Sequence, residues 1–556
     1  MNIKNMYSSG KKTGPTLAAD FRALFTPEHY RLLTGSNPAW IEVRKHLTVI
    51  TLLLLCSNVA SYKILALFPH IARSHYVMGE ALLKGLAARG YHVTVVSHFP
   101  QKNPIPNFKD ISLVGATTVA VEQIQLVNVG TGNIPFTINM LATMAMDVCE
   151  TTLPAAPIQE LMKSQDKYDL IITELFNTDC MFGFVHKFKV PFISIATSVL
   201  MPWSSERFAN PENPSYIPHH FLGHSDRMTF FERMLNVFYQ ETTKWAYHKY
   251  MDIPTQKIAR KYFGESLPPL ADIARNTSLL LVNSHFSLNQ PRPFVPNIVE
   301  VGGMHITPPK PLPQDLKKFL DDSKQGVVYF SFGSMVKMTT LPEEKRQAFM
   351  QAFAALPERF LLKWEEESFP GKPENVKLVR WPPQVDVLRH PNVRVFVTHG
   401  GLMGTTEAAH SGVPMVAIPL FGDQFVNVAS YVEEGIAFKL SFTNITKESV
   451  LHALNTVLRD PSYRDNALRV SRAYNDRPMS ALDTGIFWTE YVIRHGGAPH
   501  MRSAALDLTW YQYLLLDVLA VLISVIATVL LVLFYITKRL IRLVLPSKTQ
   551  GKKKKQ

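Results

Sequence analysis

The chain has 556 residues, enough for two domains with appendages, and an apolar fraction of 46%, ordinary for a globular protein. Its formal charge of +13 would suit a nucleic-acid binder, but seven Lys/Arg against three acids in residues 1–46 and eight against none in 538–556 leave only about +1 for the body. No basic face remains for nucleic acid, and three cysteines without a Cys/His cluster of metal spacing predict neither a disulfide framework nor a metal site.

Arg44-Lys45-His46 precedes the apolar run Leu47 to Cys56, which ends in the small residues Ser57 to Ser61. This layout predicts a signal peptide cleaved at Val59-Ala60-Ser61, so residues 1–61 form an N-terminal extension and leader. The polar stretch before the run is longer than an ordinary n-region and reads either as an upstream start or as a genuine part of the protein. Strand Ile64 to Phe68, a loop, a helical stretch to Ala88 and strand His92 to Ser97 make a βαβ unit. Further short apolar strands are predicted at Leu170 to Thr173, Phe192 to Ala196 and Leu279 to Asn283, separated by helical stretches. This alternation predicts a doubly wound parallel sheet. Arg227 to Tyr250 carries Met228, Phe231, Leu235 and Phe238 at helical spacing, which reads first as a core or pocket-wall stripe. Cys149 and Cys180 are free to pair in an oxidising compartment, and Asn276 and Asn444 begin glycosylation sequons.

Pro308 to Pro313 is the clear linker, since closely spaced prolines remove N–H donors and stiffen an extended spacer. Strand Val327 to Phe332 leads into Gly333-Ser334, and strands Phe360 to Trp364 and Val376 to Val379 follow. The most informative stretch runs from Trp381 to Gln424. In it Trp381-Pro382-Pro383-Gln384 precedes the β-branched run Val393 to Val397, then Thr398-His399-Gly400-Gly401, Gly404-Thr405-Thr406-Glu407, the short strand Met415 to Ile418 and Asp423-Gln424. A buried strand ending in glycines before a helix start presents free N–H groups and a positive dipole end, which suits phosphate. His399 falls at the strand's carboxyl end, where open α/β sheets place their ligands. Val518 to Thr537 is 20 residues without a charge, long enough to span a bilayer. Lys538, Arg539 and Arg542 follow at once, which puts the tail in the cytosol and the body in the lumen.

The Trp381–Gln424 stretch resembles the signature of the UDP-glycosyltransferases, membrane-bound enzymes that transfer a sugar from a UDP-sugar to small lipophilic acceptors. The resemblance extends over roughly residues 62–540. It implies an α/β GT-B fold: two facing Rossmann-like domains with a cleft between, plus a C-terminal transmembrane helix. The implied bounds are 62–305 for the acceptor domain, 306–314 for the linker and 315–475 for the donor domain. A closing segment at 476–511, a membrane helix at 512–537 and a basic tail at 538–556 complete the chain. The resemblance further implies that Trp381 stacks on uracil, Gln384 contacts its edge and Glu407 takes the ribose hydroxyls, as suits an indole face and an acceptor-only carboxylate. It assigns Ser331, Gly333, Ser334, His399, Gly401 and Gly404 to the diphosphate and its surroundings, and Asp423 and Gln424 to the donor sugar.

His75, in Ser74-His75-Tyr76 of the first βα loop, matches the family's catalytic base, the role a near-neutral imidazole suits. The family carries an Asp where register places Glu174, so the partner of His75 is left between Glu174 and Asp179. Leu402-Met403 stands where vertebrate members have Ala-Asn, as in the arthropod branch, which favours UDP-glucose over UDP-glucuronate. The UDP-sugar is then a co-substrate, with no cofactor and no metal, and direct attack gives inversion. The region 227–250 would help form the acceptor pocket and touch the membrane. The lysines ending the chain resemble a dilysine retrieval signal, hence a single-pass type I protein of the endoplasmic reticulum. Acceptor identity and homo- or hetero-oligomerisation stay open. The rival readings are a catalytically silent member that binds donor or lipophile, against which His75 stands, and a single-pass receptor ectodomain, which should be cysteine-rich or all-β.

Overall fold

A computed structural model describes residues 61–126 and 133–545 of the chain. The leader with Val59-Ala60 and the closing lysines Lys552 to Lys555 lie outside the described residues. The described part contains two all-parallel sheets. The first has seven strands: β1 (Lys63–Phe68), β2 (His92–Ser97), β3 (Phe108–Ser112), β5 (Leu170–Glu174), β6 (Phe192–Ala196), β7 (Leu279–Val282) and β8 (Ile298–Glu300), in the order β3-β2-β1-β5-β6-β7-β8. The second has six: β9 (Val327–Ser331), β11 (Arg359–Lys363), β12 (Val376–Val379), β13 (Val393–Thr398), β14 (Met415–Ala417) and β15 (Ala437–Lys439), in the order β12-β11-β9-β13-β14-β15. Strands β5, β6, β7 and β9, and β1 from Ile64 onward, are buried, as their predominantly apolar runs require when helices cover both faces of a sheet. Strands β3, β8 and β15 were not predicted; β3 is half exposed, and the others are three residues long, too little sequence for a period.

Each sheet reverses its strand order once, between β1 and β5 in the first and between β9 and β13 in the second. At such a reversal the connecting loops diverge to opposite faces and leave a crevice beyond the carboxyl ends of the strands. Two elements stitch the sheets together. A two-stranded parallel ribbon pairs β4 (Ile124–Gln125) with β10 (Val336–Lys337), and the Glu122 N–H donates to the Ser334 carbonyl at 2.9 Å. The closing helix Ala481–Arg494 returns to the first sheet, where Ile486 and Val492 join its core. Cys149 and Cys180 form a disulfide that ties helix Ile134–Thr152 to the turn after β5.

Helix Phe230–Tyr247 corrects the reading of its apolar stripe. Phe231, Leu235 and Phe238 are exposed at 72%, 47% and 59%, while the buried face is Asn236, Gln240, Thr243 and Tyr247. Two of the inward polar groups have partners: Asn236 donates to the Pro214 and Ile217 carbonyls at 2.7 and 2.8 Å and accepts from the His219 N–H at 2.6 Å, and Thr243 Oγ1 lies 3.0 Å from His219 Nε2. Periodicity defines a face but not its direction, and here hydrogen bonding turned the polar face in. The last long helix, Leu516–Val544, has 29 residues, about 44 Å at 1.5 Å per residue, longer than the hydrocarbon core of a bilayer.

Asn236→Leu would complete an ordinary apolar stripe, yet it should destabilise the protein by about 1–3 kcal/mol or more, because it orphans buried backbone groups. Chemical denaturation in detergent measures this; an unchanged midpoint would contradict the inward orientation.

Candidate active site

The first crevice is built from the loop after β1 and the end of β5. Helix Arg73–Ala88 starts there, and its first turn carries His75. Glu174 is the last residue of β5, buried and directed at the same point. His75 Nδ1 lies 2.6 Å from Glu174 Oε1, and the Thr197 hydroxyl donates to that oxygen at 3.1 Å. Burial pushes the Glu174 carboxyl up, but the charge and hydrogen bond of His75, helped by His70 and Thr197, outweigh it and leave the pKa below the usual value. The group is thus an anion at neutral pH. In the tautomer that donates Nδ1–H to this carboxylate, the His75 Nε2 presents a lone pair to the crevice.

His70 stacks on His75 with ring centres 4.2 Å apart and planes 14° from parallel, and Phe176 meets both rings edge-on. Burial, then the neighbouring His75, drops the His70 pKa to about 3, so it packs as a neutral ring. Among the described residues, His70, His75 and Glu174 gather ligand atoms within 4.8 Å of one another. Stacked rings hold their lone pairs in parallel planes, which do not converge on one ion. Asp179 is engaged elsewhere: both its oxygens meet the buried Arg207, at 2.7 and 2.6 Å, and Arg207 also donates to the Tyr247 hydroxyl at 2.6 Å.

The second crevice holds the residues around the glycine turns. His399 follows β13 and is half-buried, with its enclosed Nδ1 lacking a protein partner among the described residues. Burial and the Lys363 charge lower its pKa to about 4, so at pH 7 it is a neutral ring that can donate one hydrogen bond. The ring is wedged between two glycines: a Cβ on Gly333 would stand 2.7 Å from its Cε1, and one on Gly401 2.5 Å from its Nε2. Gly333, with φ at +77°, also needs the left-handed region that glycine favours. Ser331 accepts from the Gly333 N–H at 3.2 Å, and Ser334 flanks the same turn. The helix after the turn spans Leu402–Ser411, so Leu402 to Gly404 form its first turn.

Trp381 is 55% exposed with Lys363 Nζ 4.8 Å from its ring centre, an open indole face at the rim. Gln384 and Glu407 meet at 2.6 Å, with the Gln384 amide donating, and the Tyr329 hydroxyl donates to Gln384 at 2.9 Å. Gly404 lies close to that contact, where a Cβ would stand 3.2 Å from Gln384 Nε2. Asp423 opens the helix Gln424–Glu433 and accepts from Asn427 at 3.0 Å. Burial pushes its carboxyl up; Asn427, and His75 across the cleft, pull it part of the way back. Gln424 uses its oxygen to accept from the Leu420 and Phe421 N–H groups at 2.8 and 3.1 Å.

The structure therefore gathers His75 with Glu174, and separately His399, Gly333, Ser331 and Gly401, with Asp423 electrostatically in reach of His75. Thr197, His70, Lys363 and Asn427 were not anticipated. None sits in a recognisable motif, and only the sheet order brings them in. Met403 reaches the other domain, its Sδ 3.7 Å from the Asn283 amide nitrogen. Asn276 and Asn444 are both exposed.

Residues 117–555 match the family described as "UDP-glucoronosyl and UDP-glucosyl transferase". The chain is 43% identical to "UDP-glycosyltransferase UGT5" of Dactylopius coccus over 87% of this chain and 93% of that protein. It is 41% identical to "UDP-glucosyltransferase 2" of the same insect, over 89% and 96%. To "UDP-glucuronosyltransferase 2A3" of Homo sapiens it is 32% identical over 82% and 89%. Among solved structures, the calicheamicin glycosyltransferase CalG4 superposes with a TM-score of 0.51 over 79% of this chain and 100% of that one, at 16% identity, a likeness of fold.

Gly401→Ala should push the His399 ring out of its slot and weaken UDP binding by roughly tenfold, on the scale of a modest overpacking penalty. Calorimetric titration with UDP reads it; unaltered affinity in a folded variant would separate His399 from the nucleotide.

Proposed function

The chain belongs to the UDP-glycosyltransferase family, and from that premise we propose that it transfers glucose from UDP-glucose, with inversion, to a hydroxyl of a small lipophilic acceptor. Family membership establishes the reaction class, a hexosyl transfer with a UDP-sugar as co-substrate and a GT-B fold. The sugar, the acceptor class and the residue roles are our reading. The observation that carries it is the 2.6 Å contact of His75 Nδ1 with Glu174 Oε1, facing the crevice that also receives Asp423.

In this mechanism His75 Nε2 takes the acceptor hydroxyl proton as the oxygen attacks the anomeric carbon. The bond from that carbon to the diphosphate breaks, and UDP leaves from the opposite face. Glu174 holds the imidazole in the right tautomer and offsets its charge once protonated, with Thr197 fixing the carboxylate. His399, the Gly333 and Gly401 turns, Ser331 and Ser334 supply preorganised donors to the leaving diphosphate. Trp381 and Gln384 receive the base, Glu407 the ribose, and Asp423 with Gln424 the sugar hydroxyls. UDP-glucose is favoured by the "UDP-glucosyltransferase 2" relative and by Leu402-Met403 beside the phosphate turn. Asp179 we assign to the buried pair with Arg207 rather than to catalysis.

We further read the acceptor and donor domains as 62–305 and 315–475, with the linker, closing segment and tail bounded as the sequence implies. The helix Leu516–Val544 has the length and composition of a single-pass anchor. We place the body in the lumen of the endoplasmic reticulum, with Asn276 and Asn444 available for glycosylation. The outward apolar face of helix Phe230–Tyr247 then rests against the bilayer.

His75→Ala should abolish transfer to alcohols and spare UDP binding. Glu174→Gln should lose most activity, and the double variant should be scarcely worse, as for residues acting as a unit. Asp179→Asn should instead destabilise the fold by about 3–5 kcal/mol, the scale for breaking a buried pair. Turnover of UDP-glucose and UDP-glucuronate with a phenol panel measures His75→Ala, Glu174→Gln and the double variant, and chemical denaturation measures Asp179→Asn; an active His75→Ala enzyme would end the mechanism, and a preference for UDP-glucuronate would end the donor assignment. In sealed microsomes, added protease should remove only the tail. Digestion of the body would overturn the topology.

A further inference from the structure

We propose that His305, from the segment joining the two sheets, is a positioning residue for the donor site that holds the Glu407 carboxylate for the ribose. The inference rests on the reading of Glu407 as the ribose ligand and adds a residue that no motif of the donor region contains. His305 lies about a hundred residues before Glu407 in the chain, outside the Trp381–Gln424 stretch. Its side chain is 4% exposed and its Nε2 lies 3.2 Å from Glu407 Oε1. The other carboxylate oxygen, Oε2, accepts from the Gln384 amide at 2.6 Å. Glu407 is therefore gripped from two sides by two different segments.

The grip leaves the carboxylate usable. A carboxylate offers about four lone-pair sites, and Gln384 takes one. His305 approaches Oε1 closely but off the line of a good hydrogen bond, and neither of its ring nitrogens finds a well-aligned partner among the described residues. The remaining sites stay open for the two hydroxyls of a vicinal diol. A buried anion without such neighbours would be costly or would take up a proton.

The turn that carries His305 is built to hold it. The Gly302 carbonyl accepts from the Tyr474 hydroxyl at 2.6 Å and from Arg477 at 2.9 Å. The Thr307 carbonyl accepts from Arg389 at 2.8 Å, so both ends of the turn are pinned. Glycine is needed on the near side: a Cβ on Gly302 would stand 2.6 Å from the Ser284 carbonyl oxygen, and one on Gly303 would strike the Tyr474 hydroxyl. Gly303 also has φ at +88°. The turn leaves β8 of the first sheet, and Tyr474, Arg477 and Arg389 belong to the second half of the chain. The donor carboxylate is thereby referenced to the junction between domains.

The test compares the affinities of the full-length protein in detergent for UDP and for 2′-deoxy-UDP, by calorimetry. The variants are His305→Phe, which keeps the ring shape without its polar nitrogens, His305→Gln, which returns a polar nitrogen beside the carboxylate, and Glu407→Ala as control. His305→Phe should weaken UDP on the order of fivefold, the scale of one contact to a charged group. It should change 2′-deoxy-UDP less than twofold, because the lost positioning matters for the diol. His305→Gln should return UDP binding to within about twofold of the parent, a scale on which contacts of this kind are resolved. In turnover, KM for the UDP-sugar should rise while kcat holds. Equal weakening of both nucleotides, or no weakening by His305→Phe, would overturn the proposal. If Glu407→Ala keeps the preference for UDP over 2′-deoxy-UDP, the ribose reading falls and this inference with it. If Glu407→Ala loses that preference and His305→Phe keeps it, only the role of His305 falls.

Discussion

The reversal of strand order in each sheet is the constraint on which the site depends. Neighbouring βα loops fold over opposite faces only where consecutive strands lie on opposite sides of a starting strand. That condition holds at β1/β5 and again at β9/β13. His75 follows β1 and Glu174 ends β5; Ser331 ends β9 and His399 follows β13. Residues 99 positions apart, such as His75 and Glu174, meet because parallel pairing puts β1 beside β5 in register. The ribbon of β4 with β10, and the closing helix packed on the first core, keep the two crevices facing one another.

Low dielectric then sorts the charges. A buried carboxylate needs a partner or takes up a proton. Glu174 has His75 and Thr197, Asp179 has Arg207, and Glu407 has Gln384 and His305. Of the two carboxylates that sequence left as partners of His75, one is already committed in full to a guanidinium. His399 meets the same problem by staying neutral, its pKa lowered by burial and the Lys363 charge. Glycines at 333 and 401 are the steric counterpart, since the ring occupies the space their side chains would need.

The outer surface follows a different rule. Helix Phe230–Tyr247 buries Asn236, Gln240 and Thr243 and turns Phe230, Phe231, Met234 and Phe238 outward. Water alone does not favour that arrangement. The inward hydrogen bonds of Asn236 and Thr243 set the orientation, and the apolar face is what remains.

Much of the fold was legible in the chain. The apolar runs of β1, β5, β6 and β9 announce strands buried on both faces, because few other settings tolerate so long a series of β-branched and aliphatic residues. The glycine turns after β9 and β13 and the single charge-free run near the carboxyl terminus are equally local signals. Tertiary structure alone decided the short edge strands, the choice between Glu174 and Asp179 beside His75, the inversion of helix Phe230–Tyr247, the pairing of Cys149 with Cys180, and the approach of His305 to Glu407. These share one physical reason. Period and composition report how a segment is amphipathic, whereas the partner of a side chain is set by which strands lie side by side and by which buried charge was paired first.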